Sequence, residues 1–322
     1  MISIKSANPV RTFLLLAGLL AISSSAWAQQ NPAVTKVPKL PPAPNGVVIR
    51  QNVIFLATNR TEKLDLYLPA RRASNALSPA VILIHGGGWA GGDKAASREF
   101  NVGTTLALAG YVCASINYSL KEGERWPLNL QDCKNAVRFL RANATRYQVD
   151  KNHFGVLGGS AGGHLALMVA YTGDDPTLAP PTPYPGVSDA VNCVVDLYGI
   201  TDLLTRRTPD AHGNPTGPAH GNALFPESRE ESPEKWKQAS PVYHLTKHSP
   251  PTLILHGLAD ATVDYEQSKE LDRKLAEAGV EHQLILIPGI GHTFDLQVWN
   301  HKPLPQDLRP VIVGFFDKHL KP

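Results

Sequence analysis

The hexapeptide Gly158-Gly159-Ser160-Ala161-Gly162-Gly163 joins an apolar run, Phe154 to Leu157, to an apolar helical pattern, His164 to Tyr171. A serine among glycines can occupy a sharp strand-to-helix turn, because hydrogen side chains tolerate unusual dihedrals and close packing. Ser160 is therefore the candidate nucleophile. A serine hydroxyl attacks poorly at neutral pH unless a general base removes its proton and a third group fixes the tautomer of that base. Two later strand-like runs end beside such groups. Thr252 to His256 leads into Gly257-Leu258-Ala259-Asp260, and Gln283 to Ile287 leads into Pro288-Gly289-Ile290-Gly291-His292. Asp260 and His292 are the expected acid and base. The competitors fit less well: Asp264 reads as a cap of the next helix, Asp202 lies in an insertion, His256 reads as a structural strand-end histidine, and His282 precedes its strand. His301 is the remaining rival to His292, without the glycine-flanked position after a strand.

Attack on a carbonyl also needs donors for the oxyanion. The backbone N–H of Ala161, next to the nucleophile, is one. His85-Gly86-Gly87-Gly88-Trp89 follows the apolar strand Ala80 to Ile84, so the N–H groups of Gly87 and Gly88 are the other candidates. The run lacks the Lys-Ser/Thr of a phosphate loop and the glycine spacing of a dinucleotide site. No Cys spacing suits a metal, and His212, His220, His244 and His248 match no standard site, so no metal and no cofactor is expected.

The elements that must position these residues are legible as alternating strands and helices. Ala80 to Ile84 and Tyr111 to Ile116 are apolar runs without alternation, as in strands covered on both faces, and Phe154 to Leu157, Val191 to Leu197, Thr252 to His256 and Gln283 to Ile287 read as further strands. Between them lie a helical stretch near Thr104 to Ala109, an amphipathic helix from Leu130 to Tyr147 with Lys134, Arg138, Arg141 and Arg146 off its apolar face, and a helix from Tyr265 to Ala278 closed by Gly279. A last helix spans about Gln306 to Leu320. Val47 to Phe55 and Lys63 to Leu68 suit an antiparallel hairpin at a sheet edge. The class is α/β, with a mostly parallel, doubly wound sheet. Two irregular intervals, Asp174 to Ala190 and Gly199 to His248, are expected as loops over the carboxyl ends of strands. The charged run Glu227 to Lys237 reads as a solvated helix face.

Ahead of this domain, Lys5 and Arg11 precede the apolar run Phe13 to Ile22 and the site Ala26-Trp27-Ala28, the pattern of a signal peptide (residues 1–28) cleaved after Ala28. The apolar run is about half the roughly 20 residues of a membrane span. The expected location is periplasmic or secreted, without a stable membrane anchor. Residues 29–46 hold five prolines and read as a linker, which places the catalytic domain at 47–322. The 31 basic and 28 acidic residues nearly balance, and only Lys5 and Arg11 are lost with the leader, so no nucleic-acid partner is implied. Cys113, Cys133 and Cys193 read as buried free thiols, with one oxidised pair among the three as the alternative in an exported protein.

The motifs His85-Gly86-Gly87-Gly88-Trp89, Gly91-Gly92-Asp93-Lys94, Gly158 to His164, Asp260 and Gly291-His292 together resemble α/β-hydrolase-fold carboxylesterases related to hormone-sensitive lipase. Within them the bacterial feruloyl and acetylxylan esterase-like group is the most similar. That resemblance implies a Ser160–Asp260–His292 triad, an oxyanion hole at Gly87, Gly88 and Ala161, short cap-like insertions, and small-molecule or polysaccharide-linked ester substrates with short or aromatic acyl groups. Trp89, Tyr198 and the prolines of 174–190 are candidate pocket walls. Other outcomes of the same fold are an amidase or peptidase of arylformamidase-like or prolyl-peptidase-like type, and a non-catalytic binding module. At Asn117-Tyr118-Ser119 the chain departs from the many relatives that carry Arg after the Tyr.

Overall fold

The computed structural model describes residues 39–71, 76–123, 125–219 and 222–321. The leader, the first part of the linker (29–38) and His220 lie outside the described residues. In chain order the strands are β1 (Val47–Val53), β2 (Leu64–Pro69), β3 (Ser78–Ile84), β4 (Val112–Ile116), β5 (Val149–Gly159), β6 (Cys193–Leu197), β7 (Arg207–Pro209), β8 (Pro215–Pro218), β9 (Thr252–Gly257), β10 (His282–Ile287), β11 (Val298–Trp299) and β12 (Lys302–Pro303). The helices are α1 (Ser97–Leu108), α2 (Leu128–Ala142), α3 (Ala144–Tyr147), α4 (Ala161–Tyr171), α5 (Pro233–Gln238), α6 (Glu266–Ala278) and α7 (Arg309–Leu320). Eight strands form one sheet in the order β1-β2-β4-β3-β5-β6-β9-β10. β2 is antiparallel to both its neighbours, and from β4 onward every pairing is parallel.

Each face of the sheet buries its own apolar cluster. Ile82, Val156 and Ile254 pack under α2, α4 and α6, while Val81, Leu83, Leu157 and Leu255 pack under α1 and α7. Successive residues of one strand point to opposite faces, which is why both sets must be apolar. β1 and β2 form the expected antiparallel hairpin at a sheet edge, with β1 outermost; β2 lies just inside it, and all of Leu64 to Leu68 is buried. Its polar position Asp65 is satisfied by Lys94 Nζ at 2.9 Å, and Tyr67 lies under Gly103 of α1. Leu40, within the proline-rich linker, is also buried, against the α1 and α7 side.

Three expectations change. The segment 174–190 follows α4, which runs back against the strand direction, so it lies at the amino edge of the sheet and far from the carboxyl ends of the strands. There it covers the polar side of α2: Lys134 Nζ and Arg138 Nε each donate to Asp189 at 2.8 Å, and Arg138 Nη1 donates to Pro180 O. Lys134 and Arg138 are therefore buried rather than solvated, and the prolines of 174–190 wall no catalytic pocket. The run 227–237 contains only the short helix α5, whose Trp236 is buried and donates to Glu227 O. Asp264 does not cap α6 with its side chain; its carboxylate accepts the Arg207 N–H at 2.8 Å.

The insertion 199–248 does leave the carboxyl edge, after β6. Its β7–β8 hairpin rests on the loop after β9, where a Cβ on Gly213 would stand 2.6 Å from Leu258 O. At Ser119 the N–H donates to Asp132 Oδ2, which also takes Arg60 Nη2 at 2.6 Å. A guanidinium from the loop before β2 thus partners the carboxylate beside the departed Arg position. Cys113, Cys133 and Cys193 are buried and unpaired with one another.

Candidate active site

Parallel register brings the functional loops together. Ile84 pairs with Gly158, Gly159 with Leu197, Leu197 with Leu255, and Gly257 with Ile287, so β3, β5, β6, β9 and β10 end in step. The residues that follow these ends lie side by side at one edge, as open α/β sheets place their sites.

Ser160 occupies the turn from β5 into α4 with φ 58° and ψ −125°, a conformation that side chains disfavour and that costs on the order of 1–3 kcal/mol. The surroundings hold it there: Ser160 N–H donates to Leu197 O at 2.9 Å, and α4 crosses β3 so closely that a Cβ on Gly162 would stand 2.2 Å from Ile84 O. The hydroxyl lies 2.9 Å from His292 Nε2, and His292 Nδ1 lies 2.6 Å from Asp260 Oδ2. A carboxylate only accepts, so Nδ1 carries the proton and Nε2 is free to take one from Ser160. Asp260 is completely buried, and its Oδ1 accepts the N–H groups of Thr262 and Val263 at 2.8 and 3.0 Å. Burial alone would raise its pKa, but His256 and His292 beside it outweigh that and hold the carboxyl well below the usual carboxylate range.

The glycine loop after β3 packs directly on this turn, since a Cβ on Gly86 would stand 3.2 Å from Ser160 Cβ. Gly87 has φ 122° and Gly88 φ 61°, and both are exposed. Among the described residues neither N–H has a protein acceptor. Ala161 is the first residue of α4, where no intrahelical acceptor exists. Trp89 does not wall a pocket; it is buried and anchors the loop by donating Nε1–H to His164 Nδ1 at 3.1 Å. His164 Nε2 donates to Ala239 O at 2.6 Å. Burial, against the pull of that carbonyl, lowers the His164 pKa to about 4, so the ring is neutral and can accept from Trp89.

Tyr198 is likewise a support. It is fully buried with φ 44°, its ring lies edge-on to His292 at 4.8 Å, and its hydroxyl donates to Phe294 O at 2.8 Å. Arg98 Nη1 donates to that hydroxyl at 2.8 Å. Trp299 Nε1 donates to His292 O at 3.0 Å. Neither Arg98 nor Trp299 has a sequence signal that ties it to the histidine loop. The rivals fall away from the site: His301 is exposed in the β11–β12 turn, His282 opens β10 at the amino edge, and Asp202 accepts from Leu204 N–H within its own turn.

An eight-stranded sheet in this order, with a strained serine after β5, a histidine after β10 and an acid after β9, is an α/β-hydrolase fold. The sequence model of the BD-FAE family matches residues 64–275, and the chain belongs to that family. It is 33% identical to the esterase LipC of Mycobacterium tuberculosis over 261 residues, 77% of this chain and 60% of LipC. It is 26% identical over 258 residues to the isoprenylcysteine alpha-carbonyl methylesterase ICME of Arabidopsis thaliana, covering 76% of this chain and 56% of that protein. The chain thus spans little more than half the length of these relatives. Among solved structures, a truncated carbohydrate esterase from gut microbiota superposes with a TM-score of 0.74 at 27% identity, covering 88% of this chain and 100% of that one. Thermogutta terrifontis esterase 2, phosphonylated by sarin, superposes at 0.69 with 23% identity, covering 88% and 98%, and is alike in fold.

Proposed function

We propose that this protein is a serine carboxylesterase that works through an acyl-enzyme on Ser160. The observation that carries the reading is the hydrogen-bonded series from Ser160 through His292 to Asp260, set beside the free N–H groups of Gly87 and Gly88. Ser160 Oγ attacks the ester carbonyl while His292 Nε2 takes its proton. The oxyanion is met by the N–H groups of Gly87, Gly88 and Ala161, and His292 then protonates the departing alcohol. Water activated by His292 attacks the acyl-enzyme, releasing the acid and restoring Ser160. Asp260 orients His292 and stabilises its charged form.

The substrate class we propose is short-chain or aromatic acyl esters of carbohydrates. Supporting it are the motif resemblance and the likeness to a carbohydrate esterase at 27% identity. The leader-like residues 1–28 support an exported enzyme. A panel of acetylated xylan, methyl ferulate and short to medium p-nitrophenyl esters, with matched anilides, tests the reading. Preference for the carbohydrate acyl esters over simple esters is expected. A flat ester response refutes the substrate class, and faster anilide cleavage refutes the ester reading.

A further inference from the structure

His256 is the penultimate residue of β9 and is completely buried, and the proposed reaction uses neither of its nitrogens. Nδ1 lies 2.7 Å from Ser268 Oγ on α6, and Nε2 lies 3.1 Å from Val263 O. A carbonyl oxygen only accepts, so Nε2 carries a hydrogen. The same nitrogen lies 3.3 Å from Asp260 Oδ2, the oxygen that His292 Nδ1 meets at 2.6 Å. Val263, whose carbonyl faces His256, also closes the turn on Asp260 Oδ1 through its N–H.

Ser268 and Val263 would be enough to satisfy a buried imidazole. The third contact goes further, because it falls on the one oxygen that decides the tautomer and tilt of His292. Thr262 and Val263 hold Oδ1, whereas Oδ2 is met by the ring nitrogens of His292 and His256. Rotation of the carboxylate about its own axis would carry Oδ2 out of line with Nδ1, and His256 stands where it opposes that rotation.

We infer that His256 is a positioning residue that keeps Asp260 Oδ2 in line with His292, and that Ser268 fixes the His256 ring for this role. The inference rests on Asp260 being the acid of the proposed mechanism. His256 touches no reacting atom, and it acts only through Asp260.

The test compares His256→Gln, His256→Asn and Ser268→Ala for kcat and KM on p-nitrophenyl acetate, with thermal unfolding of each variant. Glutamine can place an amide N–H near the position of Nε2, whereas asparagine reaches only the position of Nδ1. Displacement of a reacting group by about 1 Å can cost on the order of a hundredfold, so His256→Asn is expected to lose about tenfold to a hundredfold in kcat with little change in KM. His256→Gln should recover most of that loss, and Ser268→Ala should fall between. If His256→Asn does not fold, a kcat loss in Ser268→Ala at wild-type KM carries the inference. A folded His256→Asn or Ser268→Ala with wild-type kcat overturns it, as does equal impairment of the Gln and Asn variants. Asp260→Asn separates the two readings: wild-type activity there defeats the assignment of the acid, while its loss with His256→Asn unaffected defeats only the role of His256.

Discussion

Acidification should weaken the fold through His164, and the size of the effect follows from its burial. The ring is fully buried, donates to Ala239 O, accepts from Trp89 and has a pKa lowered to about 4, against 6.5 for a free histidine. As pH falls through 6.5, the unfolded chain binds a proton that the folded chain refuses, so stability declines until about pH 4, where both forms are protonated. The difference corresponds to roughly 3 kcal/mol, a large part of the roughly 5–15 kcal/mol of a typical domain. Buried Asp132 and Asp196 act in the opposite sense. Burial raises them to about 6 and about 7, so the folded chain takes up protons first and gains stability on acidification. The measurement must therefore be a difference. Urea unfolding of wild type and His164→Gln, followed by tryptophan fluorescence at several pH values from 7 to 4, isolates the histidine. The stability advantage of the wild type should shrink by roughly 3 kcal/mol across that range. Parallel curves for the two proteins would refute the assignment of a buried neutral ring.

Two perturbations test the supports around the site. Trp89→Phe leaves His164 Nδ1 without its donor, and should destabilise by about 1–3 kcal/mol and lower kcat/KM, read by unfolding and p-nitrophenyl acetate hydrolysis. Asp189→Ala strands the buried cations Lys134 and Arg138 at the amino edge, and should lower stability by about 3–5 kcal/mol in urea, with kcat of any folded fraction unchanged.

The candidate site was legible because each of its positions sits directly after an apolar strand, and parallel strands that end in step bring such positions together whatever lies between them. Ser160, Asp260 and His292 could be named from chain order alone, since order encodes which strand end carries each. The supports were not legible in that way. Trp299 reaches His292 from a two-residue strand, and Arg98 reaches Tyr198 across a hundred residues of chain, so neither spacing nor type marks them. Lys134 and Arg138 read only as residues off the apolar face of their helix, because their counter-ion, Asp189, arrives from a segment without periodicity. The same segment was misplaced for a topological reason: it follows a helix, and only loops that follow strands reach the catalytic edge. His256 was readable as a buried strand-end histidine, but its approach to Asp260 depends on the turn at 260–263, which the sequence does not reveal.

The most direct test of the central claim is the rate at which Ser160→Ala hydrolyses p-nitrophenyl acetate, with circular dichroism to establish that the variant is folded. Loss of the nucleophile should lower kcat by at least about a thousandfold, leaving only what the oxyanion donors and binding supply. Hydrolysis by the folded variant at the wild-type rate would contradict an acyl-enzyme on Ser160.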